Sequence, residues 1–294
     1  MRVLVTGASG RLGRVVCRQL AAQGDEVVAA DSRYAGDLGM AVHVMDVRDR
    51  MAIYPLLAGC QAVVHLANHP DMTARLAPQT IYADNTIADV NVFQAASDTG
   101  VRQVVYASSV QAISGFRQGR QDIAKPSVLA YLPVDGEMPT MPGSLYALGK
   151  HAGEGMLRFY AACEPGRSST AIRFPWLVNG PGWFQGSRQT MPGRLDEVFG
   201  YLDFEDAAAF IRAVLAANRP GYACCHPASP ENRLGWRVAD TVRVFYPQVA
   251  LRRPLAEMPS LIDLEPLRAR YGWSASRIHR PPPLSMEGVS MPAG

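Results

Sequence analysis

The sequence predicts an α/β fold built on a doubly wound parallel sheet, and three observations carry this prediction. Short apolar runs rich in β-branched residues alternate with longer segments of helical periodicity. The first run, at residues 3–5, leads directly into a glycine-rich turn and then into a helical pattern that ends near Gly24. A later run, at residues 62–67, is almost continuously apolar. Such a run is typical of a strand that is buried on both faces of a parallel sheet.

The composition, net charge and cysteine count of the 294-residue chain exclude several classes of function. A hydrophobic fraction of 48% is normal for a globular protein, and a net charge of +3 is too small to indicate binding of nucleic acid or of a membrane surface. The five cysteines contain no C-x-x-C pair, which argues against a zinc site or a disulfide framework. We therefore expect no metal, and free thiols in the cytoplasm. No signal peptide and no apolar run of about eighteen residues is found, so we expect no membrane span.

The turn after the first strand reads T-G-A-S-G-R-L-G from Thr6 to Gly13. Its glycines allow a sharp turn and a close approach of the backbone to a pyrophosphate, and the following helix offers unpaired N–H groups to that anion. A simple tight turn is the alternative interpretation. The position between strand and helix favours a dinucleotide site, and its candidate cofactor-binding residues are Gly7, Gly10, Arg11, Leu12 and Gly13.

Asp31 follows the second predicted strand, about twenty residues beyond the glycine turn. A carboxylate at this place accepts hydrogen bonds from the adenosine ribose and repels a 2′-phosphate, so we expect NAD as the cofactor. Arg33 and Arg11 are close enough in sequence to contact such a phosphate, which keeps NADP possible. The alternative role for Asp31 is that of a helix or turn cap.

The remaining pattern organises the chain into a Rossmann domain at 1–175, a small C-terminal α/β substrate-binding part at 176–280 and a disordered tail at 281–294. Further strands are predicted at 26–30, 42–45, 62–67, 103–107, 170–174 and 222–225. Further helices are predicted at 48–57, 79–99, 144–162, 201–217, 234–246 and 261–271. Residues 115–143 are predicted to form a long loop, and His65 is expected to be a packed core histidine.

Tyr146 and Lys150 stand four apart in a predicted helix, so their side chains share one face. An ammonium beside a phenol favours the phenolate, which can then act as a general base on an alcohol. The chain has only two lysines, Lys125 and Lys150, which makes this pair unusual within its composition. An ordinary surface helix is the alternative interpretation. A second hydroxyl source, Ser108-Ser109, ends a predicted strand where ligands bind in doubly wound sheets.

Taken together, these motifs resemble those of the extended short-chain dehydrogenase/reductases, the epimerase/dehydratase branch, over residues 1–275. The motifs that carry the resemblance are Thr6 to Gly13, Asp31, Asp46-Val47, His65-Leu66-Ala67, Asp84-Asn85-Thr86, 104–109, Tyr146 to Lys150 with Gly153-Glu154, Arg173-Phe174-Pro175 and Gly180-Pro181-Gly182. The resemblance implies an NAD-dependent oxidoreductase with hydride chemistry supplied by the nicotinamide.

The resemblance also implies roles for individual residues. Ser109 would orient the reacting oxygen, Tyr146 would be the acid/base, and Lys150 would lower the pKa of Tyr146 and bind the nicotinamide ribose. Asp46 and Val47 would approach the adenine, while the other implied cofactor contacts are Leu66, Ala67, Asn68 and Asn85. Ser109, Gln111 and Arg173 are the candidate substrate-binding residues. Arg173 could hold a substrate carboxylate or could be a structural arginine.

Three departures from the family pattern are visible. Gly149 stands where a serine is usual, Asn68 replaces a small apolar residue, and the run after Ser109 is one residue longer than usual. The last departure leaves Ser108 open as an alternative to Ser109.

In length and motifs, the chain resembles the shorter family members, the uronate dehydrogenases and related small-sugar oxidoreductases. We therefore expect hydride transfer at a secondary alcohol, carbonyl or lactol of a small sugar-like substrate. The alternatives are a nucleotide-sugar epimerase or dehydratase, and a non-catalytic NAD(P)-sensing regulator. Family analogy also suggests a homodimer formed through the helices at 79–99 and 144–162.

Overall fold

The computed structural model describes residues 1–34, 36–70, 76–113, 129–184 and 197–283. Its strands are β1 Arg2–Thr6, β2 Glu26–Asp31, β3 Val42–Val44, β4 Ala62–His65, β5 Gln103–Ser109, β6 Ser168–Phe174, β7 Trp176–Val178, β8 Tyr201–Asp203 and β9 Gly221–Cys225. Its α-helices are α1 Arg11–Ala22, α2 Arg50–Ile53, α3 Pro78–Asp98, α4 Leu145–Cys163, α5 Phe204–Ala217, α6 Val238–Phe245 and α7 Glu265–Tyr271. Short 3₁₀ helices lie at Tyr54–Leu57, Val110–Ala112, Pro181–Trp183 and Leu255–Glu257.

Seven strands form one sheet in the order β3-β2-β1-β4-β5-β6-β9, and every pair in it is parallel. The order reverses between β1 and β4, and in such sheets the carboxyl ends of the strands open a ligand crevice at this point. This arrangement confirms the predicted doubly wound α/β fold. The predicted division at residue 175 stays a prediction, and β9 from the C-terminal part completes the same sheet.

Alternate residues of β1 enter two separate cores, as the two-residue period of a strand requires. Val3 and Val5 pack in a core that includes residues of α1 and α5, whereas Leu4 packs in a core that includes residues of α3 and α4. Helices therefore cover both faces of the sheet. A third core joins the loop from residue 129 to the C-terminal segments, and Leu132 and Val134 form isolated bridges with Leu251 and Ile262.

The structure corrects the sequence prediction around residue 201. A helix was expected from 201 to 217, but Tyr201–Asp203 is strand β8, which pairs in parallel with the unexpected strand β7. The helix begins at Phe204 because the Asp203 carboxylate accepts a hydrogen bond of 2.9 Å from the Glu205 N–H and so caps it.

The last two helices are shorter than predicted. The helix expected at 234–246 begins at Val238, and Gly235 has a φ of 67° that a right-handed helix does not accommodate. The helix expected at 261–271 begins at Glu265. Part of the predicted 115–143 loop, and the predicted disordered tail from residue 284 onward, lie outside the described residues.

Two observations concern the described ranges alone. No helix there is both long and apolar enough to cross a membrane. No cluster of three or more histidine, cysteine or acidic side chains there is arranged to hold a metal ion.

Candidate active site

The glycine-rich turn packs so tightly that side chains cannot be added to it. A Cβ on Gly7, whose φ is 71°, would lie 2.8 Å from the Leu66 carbonyl carbon. A Cβ on Gly13 would lie 2.1 Å from the Gly7 carbonyl oxygen. Helix α1 follows at once, and its N-cap residue Gly10 has no side chain to satisfy the first N–H groups. This bare backbone fits a dinucleotide pyrophosphate.

Asp31 ends β2 beside this turn. One carboxylate oxygen accepts from the Ser9 N–H at 2.9 Å, and the other accepts from the Arg33 N–H at 3.1 Å. The carboxylate is therefore fixed at the carboxyl end of β2, next to the glycine turn, where the sequence predicts a ribose contact. Both the ribose role and the capping alternative are compatible with these bonds, because a carboxylate has further lone pairs.

The other predicted residues of the turn face different surroundings. The Arg11 guanidinium lies 5.2 Å from the centre of the Trp183 ring and 5.9 Å from that of Phe204. Leu12 packs against the core on the α1 face. Their cofactor contacts stay predictions.

Asp46 and Val47, the predicted adenine contacts, are held by neighbouring polar side chains. The Asp46 carboxylate accepts 3.0 Å bonds from the Arg48 guanidinium, which holds the pKa of that carboxyl below its usual value. The buried Asn91 amide donates to the Val47 carbonyl at 3.1 Å and to the Arg48 carbonyl at 2.9 Å. The backbone at 46–48 is thereby fixed beyond the end of β3.

The loop after β4 is fixed from α3. Asn85 accepts from the His69 N–H at 2.7 Å and donates to the His69 carbonyl at 3.0 Å. Asn85 thus clamps the loop that carries Leu66, Ala67 and Asn68 toward the glycine turn. A direct contact of Asn85 with a cofactor stays a prediction.

Tyr146 and Lys150 lie in the first turns of α4, which Ser144 caps by accepting from the Ala147 N–H at 3.1 Å. Lys150 is 3% exposed, and its ammonium donates to the Ala107 carbonyl at 2.7 Å and to the Asn68 amide oxygen. The ammonium lies 5.9 Å from the centre of the Tyr146 ring. Burial lowers the pKa of Lys150 to about 8.

The two serines at the end of β5 differ in their contacts. Ser108 donates a 2.6 Å hydrogen bond to the buried Glu154 carboxylate, whereas Ser109 caps a short 3₁₀ helix by accepting from the Gln111 N–H at 3.2 Å. Ser108 is therefore committed to Glu154, and this favours Ser109 as the substrate-facing hydroxyl. The Gln111 side chain is buried, and its amide oxygen has no hydrogen-bond partner among the described residues.

Arg173 is 3% exposed and forms a two-pronged ion pair with Glu154 at 2.8 and 2.9 Å. It also donates to the Met138 carbonyl at 2.9 Å. These contacts match the structural alternative for this arginine. The substrate-carboxylate role stays a prediction, and nothing in the described contacts favours it.

The sequence reasoning missed a buried polar cluster beneath Lys150. Its centre is Asp89 of α3, which is 0% exposed and contacts His65, Asn68 and Tyr106. The expected burial of His65 is confirmed, but this residue has polar partners that were not foreseen. A signal was present, because Asp89 lies four residues from Asn85 and from Phe93 and so places a carboxylate on the buried face of its helix.

Comparison with known proteins identifies the family of this chain. Residues 3–224 match the model of the NAD dependent epimerase/dehydratase family. The uronate dehydrogenase of Pseudomonas putida is 26% identical over 275 residues, which are 89% of this chain and 92% of that enzyme. The L-arabinose 1-dehydrogenase (NAD(P)(+)) of Haloferax volcanii is 29% identical over 219 residues, 72% of this chain and 76% of that enzyme.

Solved structures agree on the fold. The UDP-glucose-4-epimerase of Stenotrophomonas maltophila, solved with bound NAD and a formylated UDP-arabinopyranose, superimposes with a TM-score of 0.70 at 19% identity over 95% of this chain and 94% of that chain. At this identity the likeness shows the fold alone. The family match and these relatives confirm three predictions. The protein is an enzyme, it is an extended short-chain dehydrogenase/reductase, and its cofactor is NAD. The chain belongs to the NAD-dependent epimerase/dehydratase family.

Proposed function

We propose that the protein is an NAD-dependent dehydrogenase that oxidises a secondary alcohol or lactol of a small sugar, or reduces the corresponding carbonyl. The similarity to uronate dehydrogenase over nearly the full length of both chains supports this substrate class over a nucleotide sugar. The uronate carboxylate itself is not part of the proposal, because Arg173 is paired with Glu154.

The observation that carries the proposal is the placement of the Lys150 ammonium. It is buried at the carboxyl end of β5, tied to the Ala107 carbonyl, and lies beneath the ring of Tyr146. A fixed positive charge there favours the phenolate form of Tyr146. The side-chain arrangement is that of a general base for an alcohol proton.

In the proposed reaction, Ser109 holds the substrate oxygen by a hydrogen bond, and Tyr146 accepts the hydroxyl proton. Lys150 stabilises the phenolate of Tyr146 before it accepts that proton and becomes neutral. Gly7 and Gly13 shape the pyrophosphate cradle, and Asp31 provides the carboxylate for the adenosine ribose. NAD, when bound, supplies the hydride acceptor.

The test is to supply NAD with uronic acids, aldoses and nucleotide sugars, and to follow absorbance of NADH. Accumulation of NADH with a small sugar supports the proposal, whereas an isomerised nucleotide sugar without NADH would make the protein an epimerase. Tyr146→Phe should lower turnover by about 10²-fold or more. Tyr54→Phe is the matched control, because the Tyr54 hydroxyl contacts Asp98, the last residue of α3.

We further propose that a homodimer forms through α3 and α4. These helices pack side by side, and large apolar side chains remain exposed on them, with Ile87 at 47% and Phe159 at 61%. Ile87→Glu together with Phe159→Glu should then yield a monomer in analytical ultracentrifugation. Met51→Glu, which changes an even more exposed apolar residue on α2, should leave the mass unchanged.

We also propose that the protein is located in the cytoplasm. The five cysteines are free thiols, which a reducing compartment maintains. Fractionation of cells that express the tagged protein tests this assignment.

A further inference from the structure

The Asp89 carboxylate lies buried next to the candidate active site, and no lysine or arginine among the described residues contacts it directly. Asp89 accepts hydrogen bonds from the Tyr106 hydroxyl at 2.8 Å, from the Asn68 amide at 3.0 Å and from His65 Nε2 at 3.0 Å. A fully buried charge is costly unless it is both hydrogen-bonded and balanced by an opposite charge. The three donors satisfy the first condition, and the second requires a cation.

His65 is not that cation. Its Nδ1 lies 2.7 Å from the Thr6 hydroxyl, whose oxygen accepts from the Leu66 N–H at 3.3 Å and from the Ala67 N–H at 3.4 Å. The Thr6 proton is therefore directed at Nδ1, and the proton of the ring sits on Nε2, facing Asp89. This tautomer, assigned from the hydrogen-bond network, makes the imidazole a neutral donor.

Tyr106 is a neutral donor as well. Burial, with Asp89 beside it, raises the pKa of Tyr106 well above its usual value, so the phenol keeps its proton. The Asn68 amide is neutral by nature. All three groups that touch Asp89 are thus uncharged.

The cation connected to Asp89 is Lys150. Asn68 lies between them, with its amide nitrogen on the Asp89 carboxylate and its amide oxygen on the Lys150 ammonium. An amide oriented in this way presents its positive end to the anion and its negative end to the cation, so each hydrogen bond strengthens the other.

The other charged neighbour of Lys150 already has a partner. Glu154 lies one turn further along α4, and Arg173 neutralises it through two hydrogen bonds at 2.8 and 2.9 Å. The remaining groups that face the ammonium are the Ala107 carbonyl at 2.7 Å and the rings of Tyr106 and Tyr146 at 4.9 and 5.9 Å. Of the described groups, Asp89 is therefore the carboxylate left to balance Lys150.

The backbone is shaped around this cluster. A Cβ on Gly153 of α4 would lie 2.6 Å from the Asp89 carboxylate and 2.4 Å from the Tyr106 hydroxyl. The missing side chain lets α4 approach α3 closely enough for Lys150 to reach Asn68. The same close approach explains a glycine inside a helix, where it costs about 1 kcal/mol relative to alanine.

We propose that Asn68 and Asp89 are positioning residues, in which Asn68 fixes the ammonium of Lys150 and Asp89 supplies the negative charge that balances it. This inference rests on the proposed function for its catalytic meaning, because a charged Lys150 matters only if Tyr146 is the acid/base. Burial lowers the pKa of Lys150 to about 8, and Asp89 and Glu154 act against that decrease. Loss of the Asp89 charge should therefore leave a neutral amine at physiological pH.

The test is a direct titration of Lys150 by NMR. The chain has two lysines, so labelling with [ε-¹³C]lysine in a Lys125→Arg background leaves one lysine signal. The cofactor-free protein should show a midpoint of about 8 for that signal. Asp89→Asn should lower the midpoint by about one pH unit or more. Asp98→Asn, which removes an exposed carboxylate from the far end of the same helix, should leave it unchanged.

A second variant covers the case in which Asp89→Asn does not fold. Asn68 is only partly buried, so Asn68→Ala should be tolerated, and it should also lower the midpoint because the ammonium loses an acceptor. An unchanged or raised midpoint in the folded variants would overturn the proposal. The titration needs no substrate, so its failure is distinguishable from failure of the proposed function, which Tyr146→Phe and NADH formation decide.

Discussion

Two of the three glycines of α4, Gly153 and Gly155, offer a sharp test of how tightly the candidate site is built. Gly153 and Gly155 stand two residues apart in one helix, so replacing either with alanine brings the same intrinsic gain of about 1 kcal/mol. Their surroundings differ completely. A Cβ on Gly155 would meet no atom within 4 Å, whereas one on Gly153 would lie 2.4 Å from the Tyr106 hydroxyl and 2.6 Å from Asp89.

The magnitude of the difference follows from these distances. The Cβ on Gly153 must displace the Tyr106–Asp89 pair by roughly 1 Å, which costs about 1–3 kcal/mol as overpacking. Breaking the hydrogen bond of this buried pair adds about 1–3 kcal/mol for groups left unsatisfied. Gly153→Ala should therefore lower the free energy of unfolding by about 1–5 kcal/mol net, whereas Gly155→Ala should raise it by about 1 kcal/mol.

Thermal denaturation followed by circular dichroism measures both variants. One kcal/mol corresponds to roughly 2 °C in a chain of this size, so the melting temperatures should move in opposite directions. If Gly153→Ala melts at or above the temperature of the wild-type protein, α4 does not pack on the Asp89 cluster as described. The same result would remove the structural basis for a link between Lys150 and Asn68.

Three further predictions follow from single contacts. Gly13→Ala, whose Cβ would lie 2.1 Å from the Gly7 oxygen, should weaken NADH binding about tenfold or more in a fluorescence titration, and unchanged affinity would contradict the tight cradle. Asp31→Ala removes the charge that repels a 2′-phosphate, so the ratio of NADP to NAD affinity should rise about tenfold in the same titration; a constant ratio would assign Asp31 a capping role only. Burial lowers the pKa of His226 to about 3 from 6.5 in the unfolded chain, so its contribution to stability is present above pH 6.5 and is lost as the pH falls toward 3. His226→Leu should reduce the loss of stability on acidification by up to about 1.4 kcal/mol per pH unit within that window, and parallel curves in urea denaturation would exclude the effect.

Much of the fold could be predicted because local signals and tertiary contacts agree. Strands β1, β2, β4 and β5 are apolar runs whose side chains enter the two cores, so pattern and burial give the same answer. Strands β7 and β8 were missed because each has three residues and the two depend on each other for pairing. A pairing between residues 176 and 201 leaves no local pattern in the sequence.

The residues of the candidate site also fall into those that the sequence could predict and those that it could not. Tyr146 and Lys150 belong to one contiguous motif, so their spacing predicts a shared helix face, and both lie in the first turns of α4. Asp89 could not be assigned, because its partners come from β4, the following loop and β5, which the fold alone brings together. The sequence did mark Asn68 as a departure from the family pattern, and the structure shows this departure at the centre of the buried contacts.

The arrangement of buried charges gives a physical reason for an asparagine at position 68. Two buried carboxylates, Glu154 of α4 and Asp89 of α3, act on Lys150, and each has different partners. Glu154 is held directly by the guanidinium of Arg173, whose planar fork takes both of its oxygens. Asp89 accepts hydrogen bonds from three neutral donors. Its negative charge therefore stabilises the Lys150 ammonium through Asn68, which contacts both groups. A small apolar residue at position 68 would leave Asp89 and Lys150 without this bridge. We therefore expect the Asn68 amide and the Asp89 carboxylate to act together on Lys150. For this reason, Asn68→Ala and Asp89→Asn should be non-additive in their effect on the Lys150 titration, and the double variant should shift the midpoint by less than the sum of the two single shifts.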